Sequence, residues 1–122
     1  SDDRHSIIAG GIKALIDAIK SKFTVVTGDD VLEAILDEIS TDVAILDERF
    51  TALNEELEKV DEVIKNNQLI ALKDPLIELR DGLKNRLTEL QKRELLGEAS
   101  EKELKKKDQL QELVDILGKH GI

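Results

Sequence analysis

Ten apolar residues between positions 30 and 65 recur at alternating spacings of four and three: Leu32, Leu36, Ile39, Val43, Leu46, Phe50, Leu53, Leu57, Val60 and Ile64. An α-helix turns once every 3.6 residues, so this spacing lays all ten side chains along one stripe, whereas a strand would alternate every second residue. With Leu36, Val43, Phe50, Leu57 and Ile64 at the first core position of a heptad, and Leu32, Ile39, Leu46, Leu53 and Val60 at the fourth, the pattern runs without a stutter. It predicts one long helix over residues 29–66, on the order of 50 Å in length. Such a helix has to bury its stripe against other helices.

Boundary signals divide the rest of the chain. Thr27, Gly28, Asp29 and Asp30 offer N-caps for the long helix, with Glu33 three residues after Asp30. At its far end Asn67 falls on a seam position, and Leu69, Ile70 and Leu72 are out of phase, which places a turn near residues 66–68. A return helix is expected over residues 69–97, kinked or restarted at Pro75, because proline disfavours helical backbone at the residue before it. Its apolar positions Leu76, Leu79, Leu83, Leu87 and Leu90 carry one stutter between Leu83 and Leu87. Gly97 closes it. Ser100 and Glu103 have capping-box spacing and open a helix over residues 100–117, with Leu110, Leu113, Val114 and Leu117 on one face. Upstream, Ile8, Ile12, Leu15, Ile16, Ile19 and Phe23 define an amphipathic helix over residues 6–23, weakened by Gly10 and Gly11.

The expected fold is therefore all-α: a single helical domain over residues 1–122. Its long heptad helix folds back on residues 75–97 as an antiparallel coiled-coil hairpin, joined by an N-terminal amphipathic helix and a short C-terminal one. Charge is consistent with that pairing. Residues 29–65 hold 13 acids against 3 bases, whereas residues 73–97 hold 5 against 6. Apolar residues off the seam, at Val31, Ile35, Ala44, Ile45 and Val63, widen the stripe beyond what a two-stranded coil needs and favour a bundle.

Composition excludes several kinds of chemistry. The chain has no cysteine, which removes disulfides, thiolate metal sites and cysteine nucleophiles. Net charge is −9, so nucleic acid is not an expected partner, because a protein that replaces phosphate counterions presents a basic face. No apolar run approaches the length of a membrane span and no basic leader precedes an apolar one, which favours a soluble, cytoplasmic protein. Methionine is absent even at position 1, so a processed product or a piece of a longer chain is expected.

The remaining chemistry-bearing residues are sparse. His5 and His120 lie near opposite ends of the chain without a metal-binding partner at helical spacing, so no metal site is expected. His5 is expected in a frayed terminus, and His120 just past a helix C-terminus, where backbone carbonyls favour its cation. The pairs Asp37 and Glu38, Asp47 and Glu48, and Glu55 and Glu56 diverge by about 100° around a helix and are read as solvated faces rather than as an acid and its base. Lys105, Lys106 and Lys107, with Lys102, are surrounded by Glu98, Glu101, Glu103 and Asp108 and are likewise read as a solvated face.

These features point to a non-enzymatic interaction or assembly module with no cofactor, whose partner is a protein or a second copy of the chain in a homo-oligomer. Leu36, Ile39, Val43, Leu46, Phe50, Leu53, Leu57, Val60 and Ile64 are the candidate interface or core. The second reading is a peripheral membrane protein. It would use Ile8, Ile12, Leu15, Ile19 and Phe23, backed by Lys13, Lys20 and Lys22, as a face toward lipid or a partner.

Overall fold

The structure is a computed structural model. It describes residues 3–24 and 29–120, with side-chain surroundings for residues 3–23 and 34–120. All regular structure among them is helical: α1 (Arg4–Thr24), α2 (Asp29–Leu57), α3 (Glu62–Leu95) and α4 (Glu101–Gly118). The caps read from Thr27 to Glu33, the linker valines Val25 and Val26, and the side chains of Val31 and Leu32 lie outside the described residues.

The helices close a ring in which α1 and α4 each pack against both α2 and α3. α2 and α3, although consecutive, therefore face each other across the core rather than lying side by side. This differs from the expected hairpin of the long helix on residues 75–97. The connection allows it, because five Cα steps from Leu57 to Glu62 reach about 17 Å, more than the diagonal of about 14 Å in a bundle whose neighbours are 10 Å apart. Directions follow from the contacts. Lys22 reaches Asp42 and Arg49 reaches the Gly11 carbonyl, so α1 and α2 are antiparallel. His5 meets Gln68 and Lys20 meets Glu78, so α1 and α3 run in parallel. Gln109 meets Ser40 while His120 meets Asp47, so α2 and α4 also run in parallel.

Two boundaries differ from expectation. The long helix does not reach residue 66; α2 stops at Leu57, and Asp61, with extended backbone (φ −71°, ψ 163°), caps α3 by accepting from the Ile64 amide at 3.0 Å. A side chain that supplies a partner for an orphan amide lowers the cost of starting a new helix there. Leu57, Val60 and Ile64 keep the four-and-three spacing through the turn because the chain re-enters the same bundle, so periodicity alone hides the break. There is also no turn at residues 66–68 and no restart at Pro75, which sits inside α3. Proline removes the amide that would reach the Ala71 carbonyl, yet Leu72, Leu76 and Leu79 on either side are 1–3% exposed, and their burial holds the helix through it.

The ends of α3 and α4 carry the signals read from the sequence. Gly97 has φ +70°; its amide reaches Glu94 O at 3.0 Å and that of Glu98 reaches Arg93 O at 2.9 Å, the paired bonds of a Schellman turn. At α4 both halves of the capping box form: Ser100 Oγ accepts from the Glu103 amide at 3.2 Å, and the Ser100 amide donates to Glu103 Oε1 at 3.3 Å. Arg93 crosses to Glu103 at 2.5 Å, tying the two helices at their turn.

Candidate functional site

Leu36, Ile39, Val43, Leu46, Phe50, Leu53 and Leu57 of α2 are all buried, in one core with Ile12, Ile16 and Ile19 of α1, the α3 leucines from Leu72 to Leu90, and Leu110, Leu113 and Leu117 of α4. Val60 packs against this core only in part, and Ile64 is 37% exposed, because the turn at Asp61 carries both off the α2 stripe. On α1, Ile12 and Ile19 are wholly buried, with Ile8, Leu15 and Phe23 partly buried against the same core. Apart from Val60 and Ile64, both candidate faces read from the sequence are thus turned toward the core of one chain.

The polar residues form contacts between helices. Lys22 of α1 bridges Glu38 and Asp42 of α2 at 2.7 and 2.8 Å. The hydrogen bonds it donates to Asp42 and Glu38 raise its pKa against the opposing effect of burial. Asp37 accepts from Gln109 of α4 at 3.1 Å. Asp37, Glu38 and Asp42 of α2 therefore meet donors on α1 and α4.

Both histidines are placed by tertiary contacts. His5 is not frayed: it is 8% exposed at the start of α1, and its Nδ1 lies 3.2 Å from Gln68 Nε2 of α3, which also donates to Ser6 Oγ at 3.1 Å. The fraying expectation fails because three side chains satisfy one another across two helices. His120 lies just beyond α4, its Nε2 2.6 Å from Asp47 Oδ1 and its ring stacked on Phe50. Lys119 adds a contact to Asp47 Oδ2 at 3.4 Å. Burial pushes the Asp47 carboxyl up, but the hydrogen bonds from His120 and Lys119 outweigh it and hold the group below its ordinary value.

The lysine run is a solvated face only in part: Lys102 and Lys105 are exposed, but Lys106 and Lys107 are not. Lys106 is 7% exposed, and Lys107 pairs with Glu94 of α3 at 2.6 Å, a hydrogen bond that raises its pKa. One face of α4 is turned into the α3 contact, and the aliphatic stem of a lysine can be buried there. Among the described residues no three potential metal ligands gather, and no helix is long and apolar enough to cross a membrane.

Several apolar features remain open to solvent, among them Ile7 of α1, Leu95 and Leu96 at the end of α3, a row on the outer face of α3 and a crevice beside it. On α3, Val63 and Ile70 are 69% and 66% exposed, and Ile77, half-buried, continues the same seven-residue spacing on the side away from the leucine core. Beside Ile70 a crevice of about 200 Å³ opens between α3, Phe50 and His120. The sequence signal for the α3 row was present: Val63 lies off the α2 seam, and Ile70 out of phase with it, because both belong to a different helix. The crevice carried no such signal. No protein-family model, curated protein or solved structure matches the chain.

Proposed function

We propose that this chain is a non-enzymatic interaction or assembly module that self-associates, or docks a partner helix, through the outer face of α3. The observation that supports this reading is the exposed row of Val63 and Ile70, continued by Ile77 at heptad spacing. A helix that already spends one apolar stripe on its own core has no need of a second unless something covers it. Asn66, Asn67, Lys73 and Asp74 flank the row and supply a polar rim of the kind that surrounds a contact core. The seam of α2 serves the inside of the bundle, where knobs-into-holes packing is the expected contact, and the α3 row is its counterpart between chains.

Light scattering coupled to size exclusion, over a range of concentrations, tests the proposal. A dimer that Val63→Lys with Ile70→Lys converts to a monomer, with the helical circular dichroism signal unchanged, is the expected result. A monomer at every concentration rejects self-association.

The membrane reading requires α1 to leave the bundle, because Ile12 and Ile19 are wholly buried in it. Binding to anionic liposomes would then be accompanied by loss of the protection of α3 amides against hydrogen exchange. Binding without that loss would reject an α1-led mechanism.

A further inference from the structure

The crevice at the end of α4 is bounded by Leu69, Leu72 and Leu76 of α3, by Phe50 of α2 and by the imidazole of His120. Its walls are mostly apolar. At about 200 Å³ it exceeds the apolar cavity of about 150 Å³ that takes a benzene ring. It also follows α3 from Leu69 to Leu76, seven residues or about 10 Å, which suits a linear chain better than a ring. One charged side chain shares the lining: Lys73, exposed, with no hydrogen bond or ion pair to any described residue. An apolar slot with an unpaired cation on its lining matches a single-chain anionic amphiphile.

We infer that the crevice binds a free aliphatic carboxylate of about eight carbons, its tail against Phe50 and the α3 leucines and its carboxylate at Lys73. This goes beyond the assembly reading, and because Ile70 and Lys73 belong both to the crevice lining and to the α3 row or its rim, it is tested at concentrations where the chain is monomeric. Each methylene taken from water should tighten binding about fourfold. The gain should stop once the slot is full, at about eight carbons.

The test is methyl-resolved NMR titration of the full chain with hexanoate, octanoate, decanoate and octanol below their micelle concentrations. Octanoate is expected to shift the methyl signals of Leu69, Leu72 and Leu76, with affinity levelling off between octanoate and decanoate. Lys73→Gln should weaken octanoate about two- to fivefold, the worth of an exposed ion pair, and leave octanol unchanged. Leu69→Phe, at a half-buried position, should fill the slot and remove binding of both, and an unchanged melting temperature confirms that the fold is intact. If Leu69→Phe lowers the melting temperature, Lys73→Gln alone decides. Absence of shifts at the three leucines, affinity that climbs steadily through decanoate, or equal octanoate binding by Lys73→Gln and the parent chain each overturn the inference.

Discussion

The imidazole of His120 lies against the ring of Phe50, with centroids 4.4 Å apart and planes 13° from parallel. Because Nε2 of the same imidazole meets Asp47 one turn earlier on α2, a single residue beyond α4 fastens that helix to α2 by both a ring contact and a hydrogen bond. Stacked rings contribute about 0.5–1.5 kcal/mol beyond their buried area, and a hydrogen bond involving a charged group about 1.5–3 kcal/mol.

His120→Ala should therefore destabilise the fold by about 1–3 kcal/mol. A double-mutant cycle with Asp47→Ala should give a coupling of at least about 0.5 kcal/mol. Additive losses in urea denaturation would mean that the His120–Asp47 contact contributes nothing in solution.

The same pair sets an acid limit. Asp47 is held below its ordinary value of 3.8, so its contribution is complete above that pH and disappears as pH falls through the lower value of the folded state. The urea midpoints of the parent chain and Asp47→Asn should differ by a constant amount down to about pH 4 and converge below it. A gap unchanged at about pH 2 would contradict the assignment.

In the core, Leu53 is wholly buried and Phe50 nearly so. Leu53→Ala should cost about 2–5 kcal/mol and Phe50→Ala about 3–5 kcal/mol. Phe50→Ala should also weaken the effect of His120→Ala, since the imidazole would have lost the ring beneath it. Chemical denaturation measures both.

The caps should be separable from the core. Asp61→Ala removes the acceptor for the Ile64 amide, and Ser100→Ala removes one half of the α4 capping box. Each should cost about 0.5–2 kcal/mol. Hydrogen exchange should quicken at the first turn of α3 or of α4, and not at the opposite end of either helix.

Three glycines and the proline predict opposite signs. A Cβ at Gly10 meets nothing within 4 Å, and one at Gly82 meets the Phe23 ring at 3.6 Å, ordinary contact distance. Alanine at either should raise stability by about 0.5–1 kcal/mol. Gly97→Ala should lower it by about 1 kcal/mol, because φ +70° is strained for a residue with a side chain. Pro75→Ala should raise stability by about 1–3 kcal/mol by restoring an amide inside α3. Thermal melts of the four variants test the signs.

Much of the helical content was legible because periodicity and caps are local. Ser100 with Glu103 marked the start of α4, and Gly97 the end of α3, through chemistry contained within a few residues. The turn at residues 58–61 was harder to see. Asp61 is one acid among many in that stretch, and the apolar spacing from Leu57 through Val60 to Ile64 is what either a continuous helix or a return into the same core would produce. Pro75 was misleading for the complementary reason: its local preference opposes a helix, and the buried leucines around it override that preference. His5 and His120 looked isolated because their partners, Gln68, Asp47 and Phe50, are 63 and more residues away along the chain.

The sequence by itself determined that the chain is all-helical, that apolar stripes on its helices would be buried, and where two of the helix ends would be capped, since each depends on neighbours within a turn or two. The tertiary structure alone decided the ring order that sets α2 across from α3. It also decided that the seam residues from Leu36 to Leu57 are buried within one chain, that two histidines gain partners, and that a crevice opens beside Lys73. Those outcomes depend on which faces meet. A periodic pattern specifies that a stripe must be covered, but leaves open which other stripe covers it, because hydrophobic burial carries no direction of its own.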